Sequence, residues 1–182
     1  MSSIPIIIDC DPGVDDAVAL FLAFASPELD IRAITTVGGN VPADKTARNG
    51  RCLRQIAGRG AQPPVHAGAV KPLERMLDIA DHFHGPDGLG SLAPFEPIAP
   101  LAVATSAQAI VSHVMASQPG EITLAVTGPM TNVALALRQE PEVARRLKRI
   151  VAMGGSRSEG GNITASAEYN IWADPEAAHE VL

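Results

Sequence analysis

The chain has 182 residues, with 14 basic against 20 acidic side chains, a net charge of -6, 46% hydrophobic residues and only 3% aromatic ones. That is the make-up of one globular domain, residues 1–182, with a core of small aliphatic side chains, and it excludes a disordered tail. The acidic balance and the shortage of rings exclude a polynucleotide-binding surface, and no apolar stretch reaches the roughly 18 residues a membrane span needs.

The opening MSSIPIIID has no basic region before its short apolar run and does not read as a signal peptide. Cys10 and Cys52 are too few for a secreted disulfide scaffold. A cytoplasmic protein is expected. Ile4 to Cys10 is a β-branched run that predicts a strand buried on both faces, and Asp15 to Ala25 follows with helical periodicity up to Pro27. Ile31 to Val37 predicts a second buried strand, stopped by Gly38 and Gly39. A helix opening at Pro42 and closing at Gly58 comes next, then a short strand over Val65 to Ala67.

Between Gly68 and Pro100 there is little periodicity and much Gly and Pro, so this stretch is expected to be a functional or mobile loop. Regular structure resumes with a helix over Thr105 to Ser117 and a strand over Ile122 to Thr127. Helical stretches over Thr131 to Leu137 and Pro141 to Leu147 precede a strand over Ile150 to Met153. Alternation of this kind implies an α/β fold: a mostly parallel, open, Rossmann-like sheet with helices on both faces.

In such sheets ligands bind beyond the carboxyl ends of the strands. The residues there are DCDPGVDDA, GGN, TGPMTN and MGGSRSEGGN. Asp9, Asp11, Asp15 and Asp16 put four carboxylates into eight residues. Like charges so close raise one another's pKa unless a cation or fixed donors compensate, and an all-oxygen set suits Ca²⁺ or Mg²⁺. The spacing is not that of an EF-hand loop, because Pro12-Gly13-Val14 interrupts it. Asp15 and Asp16 could instead only complement a helix dipole.

The segment Asp9 to Ala17 resembles the DxDPGxDDA signature of the inosine-uridine preferring nucleoside hydrolases. Five further segments are similar to that family and fall in its order: TTVGGN at 35–40, HGPDGLG at 84–90, TGPMTN at 127–132, MGG at 153–155 and GNITASAEYNIWADPEAA at 161–178. The resemblance implies hydrolysis of the N-glycosidic bond of ribonucleosides at a Ca²⁺ site. It makes Asp11 and Asp16 metal ligands together with the Thr127 carbonyl, and Asp11 also the general base. Asp15, Asn40, Asn162, Glu168 and Asn170 would hold the ribose, Met153 would line the pocket, and His84 would contact the base.

Each of these residues also has an ordinary reading. Asn40 fits a turn, His84 a loop, and Glu168 with Asn170 a solvated edge. Thr131 and Asp174 read as helix caps, Cys10 as packed core, and Arg145, Arg146, Lys148 and Arg149 as a solvated helix end. Members of the family are longer, and their second half supplies a further aspartate ligand and a histidine that assists the departing base. The 182 residues contain no match to that pair, so the expectation is an incomplete nucleoside hydrolase fold. The chain alone should hydrolyse poorly or not at all, and it should self-associate as a homo-oligomer through an exposed sheet edge. Two other readings compete: a non-catalytic ribose- or nucleoside-binding fragment, and a Mg²⁺-dependent phosphatase using Asp9 and Asp11. Pro12-Gly13 and the unexplained Asp15-Asp16 count against the latter.

Overall fold

The computed structural model describes residues 3–182. Strand β1 (Ile4–Cys10) lies at the centre of a five-stranded sheet, flanked by β2 (Leu29–Thr36) on one side and β4 (Thr123–Val126) on the other. Short β3 (Val65–His66) and β5 (Arg149–Ala152) form the two edges, giving the order β3-β2-β1-β4-β5 with every pairing parallel. The chain leaves β1 first toward β2 and later returns to its other side as β4. The order in which strands are added therefore reverses between β1 and β4, which in a parallel sheet places a crevice at the carboxyl ends there.

Both faces of the sheet are covered, as the continuous apolar strands require. Ile6, Ile8, Cys10 and Ile34 pack on one face with Leu20, Ala23 and Phe24 of α1 (Val14–Ala25) and Leu53 of α2 (Ala43–Ile56). On the other face Ile7, Ala33, Leu124 and Val126 pack with Ile110 and Val114 of α4 (Ser106–Ala116) and Val133 of α5 (Thr131–Gln139). Val143 of α6 (Glu142–Arg146) and Ala177 of α8 (Pro175–Val181) complete that side. A fully buried aliphatic side chain such as Ile7 or Ile110 contributes about 1.5–3 kcal/mol.

Several sequence expectations need correction. The 68–100 stretch is a loop as expected, but it holds one short helix, α3 (Asp81–His84), and its later half is bonded along α2. Glu168 and Asn170 are both buried at the start of a short helix α7 (Tyr169–Ala173), which rules out the alternative reading of them as a solvated edge. Thr131 is not a cap; it begins α5, and its hydroxyl donates to Asp174 Oδ2 at 2.6 Å. Asp174 does cap α8, accepting the Ala177 amide at 3.0 Å. Arg145 is exposed, but Arg146 turns back to donate to the Ser117 carbonyl at 2.5 Å and closes the end of α4. Among the described residues no helix is long and apolar enough to cross a membrane.

Candidate active site

The carboxyl ends of β1, β2 and β4 converge on a pocket of about 270 Å³. Asp11, Asp15, Asn40, Thr127, Glu168 and Asn170 supply its polar lining. Every site residue expected from the sequence except Asp16 lines this pocket, including His84, Met153 and Asn162. Asp16 lies just behind: its Oδ1 accepts the Thr127 hydroxyl at 2.7 Å, and its Oδ2 accepts the Gly13 amide at 3.0 Å.

Local sequence explains the geometry. Strand β1 delivers Asp11 to the sheet end, Pro12-Gly13 turns the chain, and α1 starts at once, so Asp16 sits in its first turn with its carboxylate on the Gly13 amide. Asn40 ties the two acids together. Its amide N–H donates to Asp11 Oδ2 at 2.8 Å, while its side-chain NH₂ donates to the Asp11 carbonyl at 3.0 Å and to Asp16 Oδ2 at 3.2 Å. Asn40 is thus more than a turn residue.

Two glycines leave room for the Asp11 carboxylate. A Cβ on Gly39 would lie 2.1 Å from Asp11 Oδ2, and one on Gly128 would lie 2.7 Å from Oδ1. Neither glycine has positive φ, so close approach rather than backbone conformation demands glycine there. Asp11 is 1% exposed, and its Oδ1 has no hydrogen-bond partner. Burial, with the Asp16 charge beside it, pushes the Asp11 carboxyl well above the carboxylate range. Burial likewise raises Asp16 to about 6, although its bonds from Thr127, Gly13 and Asn40 pull the other way.

These features fit a hard divalent cation. The Asp11 and Asp16 carboxylates with the Thr127 carbonyl would offer an oxygen-only donor set; Asp11 Oδ1 is buried without a partner, and cationic charge would relieve the crowding of negative charge. Among the described residues no group of three His, Cys, Asp or Glu side chains stands arranged to hold a metal, so the backbone carbonyl is needed to complete even a three-oxygen set. The Thr127 carbonyl accepts the Asn170 side-chain amide at 2.9 Å, which orients both groups.

The far wall comes from α7 and the loop before it. Glu168 caps α7, with Oε1 accepting the Asn170 amide at 2.9 Å and Oε2 accepting the Gly155 amide at 2.9 Å. Asn162, an exposed residue at the pocket mouth, accepts the Tyr169 amide at 2.7 Å. Across the pocket, His84 Nδ1 accepts the Val14 amide at 3.2 Å and lies 3.7 Å from Asp15 Oδ1. Ala80, Phe83, Ile163 and Tyr169 add an apolar portion.

Sequence reasoning missed those four residues, and it grouped Asp9 with the site carboxylates although Asp9 does not line the pocket and is a buried support beneath its floor. Asp9 Oδ1 accepts the Thr35 hydroxyl at 2.5 Å and the Asn132 amide at 2.8 Å, and burial raises the Asp9 carboxyl to about 7. Asn132 also donates to the Thr36 carbonyl at 2.9 Å and accepts the Ala69 amide at 2.9 Å, tying the ends of β1 and β2 to the segment that follows β3. The available signal was Asp9 and Asn132 within two of the motifs quoted above. Cys10 is packed core, as expected.

Residues 6–182 match the family described as inosine-uridine preferring nucleoside hydrolase. The chain is 46% identical to a pyrimidine-specific ribonucleoside hydrolase, RihA, of Citrobacter koseri over 180 residues, covering 99% of this chain and 57% of that protein. It is 45% identical to an inosine-uridine preferring nucleoside hydrolase of Leishmania major, covering 97% of this chain and 56% of the relative. Among solved structures, a plant nucleoside hydrolase superposes with a TM-score of 0.93 at 39% identity, over 98% of this chain and 56% of that one. A purine-preferring ribonucleoside hydrolase from Gardnerella vaginalis gives 0.92 at 30% identity, over 97% and 57%. The chain spans a little over half the length of the relatives it matches. With the motifs in order, the order of strand addition reversed between β1 and β4 and the match running through residues 6–182, the chain belongs to the inosine-uridine preferring nucleoside hydrolase family.

Proposed function

We propose that the pocket is the ribose-binding and water-activating site of a hydrolase acting on the N-glycosidic bond of ribonucleosides. The observation that carries this reading is Asp11: a buried carboxylate on the pocket floor, held on one oxygen by Asn40 and with the other oxygen unpartnered. A carboxylate fixed on one side and open on the other is placed to take a proton from a water molecule.

In the proposed reaction the water oxygen adds to C1′ of the ribose, and its proton passes to Asp11. The C1′–N bond breaks with its electron pair leaving on the base, which takes a proton from solvent. Positive charge grows on the sugar as that bond lengthens, so the carboxylates of Asp11, Asp15 and Glu168 stabilise the transition state. Asn40, Asn162 and Asn170 give the pocket amide groups that suit vicinal hydroxyls, while Met153 and His84 also line it. Asp11, Asp16 and the Thr127 carbonyl would hold Ca²⁺, which when bound lowers the pKa of water and offers charge to the ribose hydroxyls. The two free, buried cysteines suit a cytoplasmic protein.

Release of reducing sugar from inosine and uridine, with and without added Ca²⁺, tests the reading. The expected result for the 182-residue chain is slow release that disappears in Asp11→Asn, since its donor set is small and no residue here is assigned to protonate the base. Binding of inosine with no sugar released, equal in both proteins, would favour the binding-only alternative.

A further inference from the structure

Helix α2 carries a ladder of polar side chains that the proposed chemistry does not use. Lys45 donates to the Pro86 carbonyl at 2.6 Å, Arg48 to Asp87 Oδ1 at 3.0 Å and Arg51 to the Pro97 and Ala99 carbonyls, both at 2.9 Å. Cys52 donates to the Phe95 carbonyl at 3.4 Å, and Gln55 accepts the Ile98 amide at 2.7 Å. Spaced one helical turn apart, these groups fasten the Gly- and Pro-rich chain after His84 along one face of the helix. A segment with little apolar burial of its own is held chiefly by these bonds to its backbone.

One rung differs from the rest. Asn49 is 2% exposed, and its side-chain NH₂ donates to the Asp87 carbonyl at 2.7 Å and to the Pro12 carbonyl at 3.1 Å. Pro12 directly follows Asp11, and Asp87 lies in the turn that begins at His84. That turn is closed by the Gly88 amide on the Gly85 carbonyl at 3.0 Å and the Gly90 amide on the His84 carbonyl at 2.8 Å. Gly88 has φ of +85°, and a Cβ on it would meet Asn49 Nδ2 at 2.8 Å and Val41 Cγ2 at 2.9 Å, so turn and amide are in close contact. On the pocket side His84 reaches the same region through the Val14 amide, and a Cβ on Gly13 would lie 2.6 Å from His84 Nδ1.

We propose that Asn49 is a positioning residue for the pocket: its amide clips the 85–90 turn to the Pro12 carbonyl, so that the His84 wall and the Asp11 floor are held as one unit on α2. Two carbonyls from distant parts of the chain converge on one buried amide whose hydrogens are both spent on them. Without it the 85–90 turn would keep its bonds from Lys45 and Arg48, and the wall its Val14–His84 and Ala80–Asn40 bonds, but the direct link from the turn to Pro12 would be lost. The clip itself rests on geometry alone, and the reading of the pocket as a ribonucleoside site enters only as the identity of the ligand it serves.

The test is residue-resolved amide exchange by NMR on the 182-residue chain and on Asn49→Ala, Asn49→Asp and Gly88→Ala, together with inosine titration. Asn49→Asp keeps the shape but turns both donors into acceptors facing carbonyls, so a merely space-filling role would tolerate it. The expected result in all three variants is exchange about ten- to a hundredfold faster at the Val14, Gly88 and Gly90 amides, with the β1 and β4 amides unchanged. Inosine affinity should fall with them. Exchange at those amides equal to the parent, or accelerated equally throughout the sheet, overturns the proposal. Faster local exchange in a protein whose parent form binds no inosine upholds the clip and overturns the ribonucleoside reading instead.

Discussion

Replacing Gly39 with alanine attacks the site through one atom. The new Cβ would stand 2.1 Å from Asp11 Oδ2 and 2.9 Å from its Cγ. Carbon and oxygen do not usually approach closer than about 3.3 Å, so the carboxylate must retreat by roughly 1 Å. It cannot do so and keep the 2.8 Å bond from the Asn40 amide. Losing a hydrogen bond to a charged group costs about 1.5–3 kcal/mol, which corresponds to a roughly ten- to hundredfold loss of Ca²⁺ affinity if Asp11 is a ligand. Gly60→Ala is the control: φ is +61° with nothing within 4 Å, so it bears a backbone cost of about 1–2 kcal/mol but lies away from the pocket. Calorimetric titration with Ca²⁺, alongside thermal unfolding without it, separates the two effects. Weakened binding in Gly39→Ala with parental affinity in Gly60→Ala is expected. A folded Gly39→Ala that binds Ca²⁺ as tightly as the parent would refute the reasoning.

Asn132→Leu should lower stability by about 2–4 kcal/mol in urea unfolding, because the Ala69 amide and one bond to Asp9 lose their partner inside the core. Asp174→Ala should cost a similar amount, about 2–4 kcal/mol, since its carboxylate holds the Ala177 amide, the Leu73 amide and the Thr131 hydroxyl together. Arg138→Ala, by contrast, breaks only an exposed pair with Glu180 and should leave the unfolding midpoint unchanged within error. Strand β5 is an edge whose Val151 is 54% exposed, so the chain should self-associate in light scattering, and Val151→Lys should reduce that association.

The parts of the fold written in local pattern were legible. The unbroken Ile4–Cys10 run marked a strand covered on both faces, and Asp174-Pro175 marked a helix start that the structure bears out. The acidic cluster at the end of β1 was legible for a similar reason, because four carboxylates within eight residues need an explanation that local structure does not provide. The supports were not legible. Asn132 meets Asp9 across 123 residues, and Asn49 meets Asp87 across 38; only the folded chain brings such pairs together. Helices α3 and α7 are too short to declare themselves by periodicity; α7 is held by the local Glu168 cap and by the Tyr169 hydroxyl donated across the chain to the Asp78 carbonyl. Taken alone, Glu168 fitted a solvated edge, because local pattern does not show that its carboxylate turns inward onto the Gly155 and Asn170 amides; only the family resemblance pointed it at the pocket.

The most direct test of the site is calorimetric binding of a ribose-like iminosugar to the 182-residue chain, with and without Ca²⁺, and to Asp11→Asn. The iminosugar mimics the charge the sugar acquires as the glycosidic bond breaks, so it reports on the carboxylate-lined pocket without requiring turnover. Binding that strengthens with Ca²⁺ and is lost in Asp11→Asn is the predicted result. Equal affinity in the parent and in Asp11→Asn, indifferent to Ca²⁺, would contradict the assignment of Asp11 and its neighbours to the ribose and the metal.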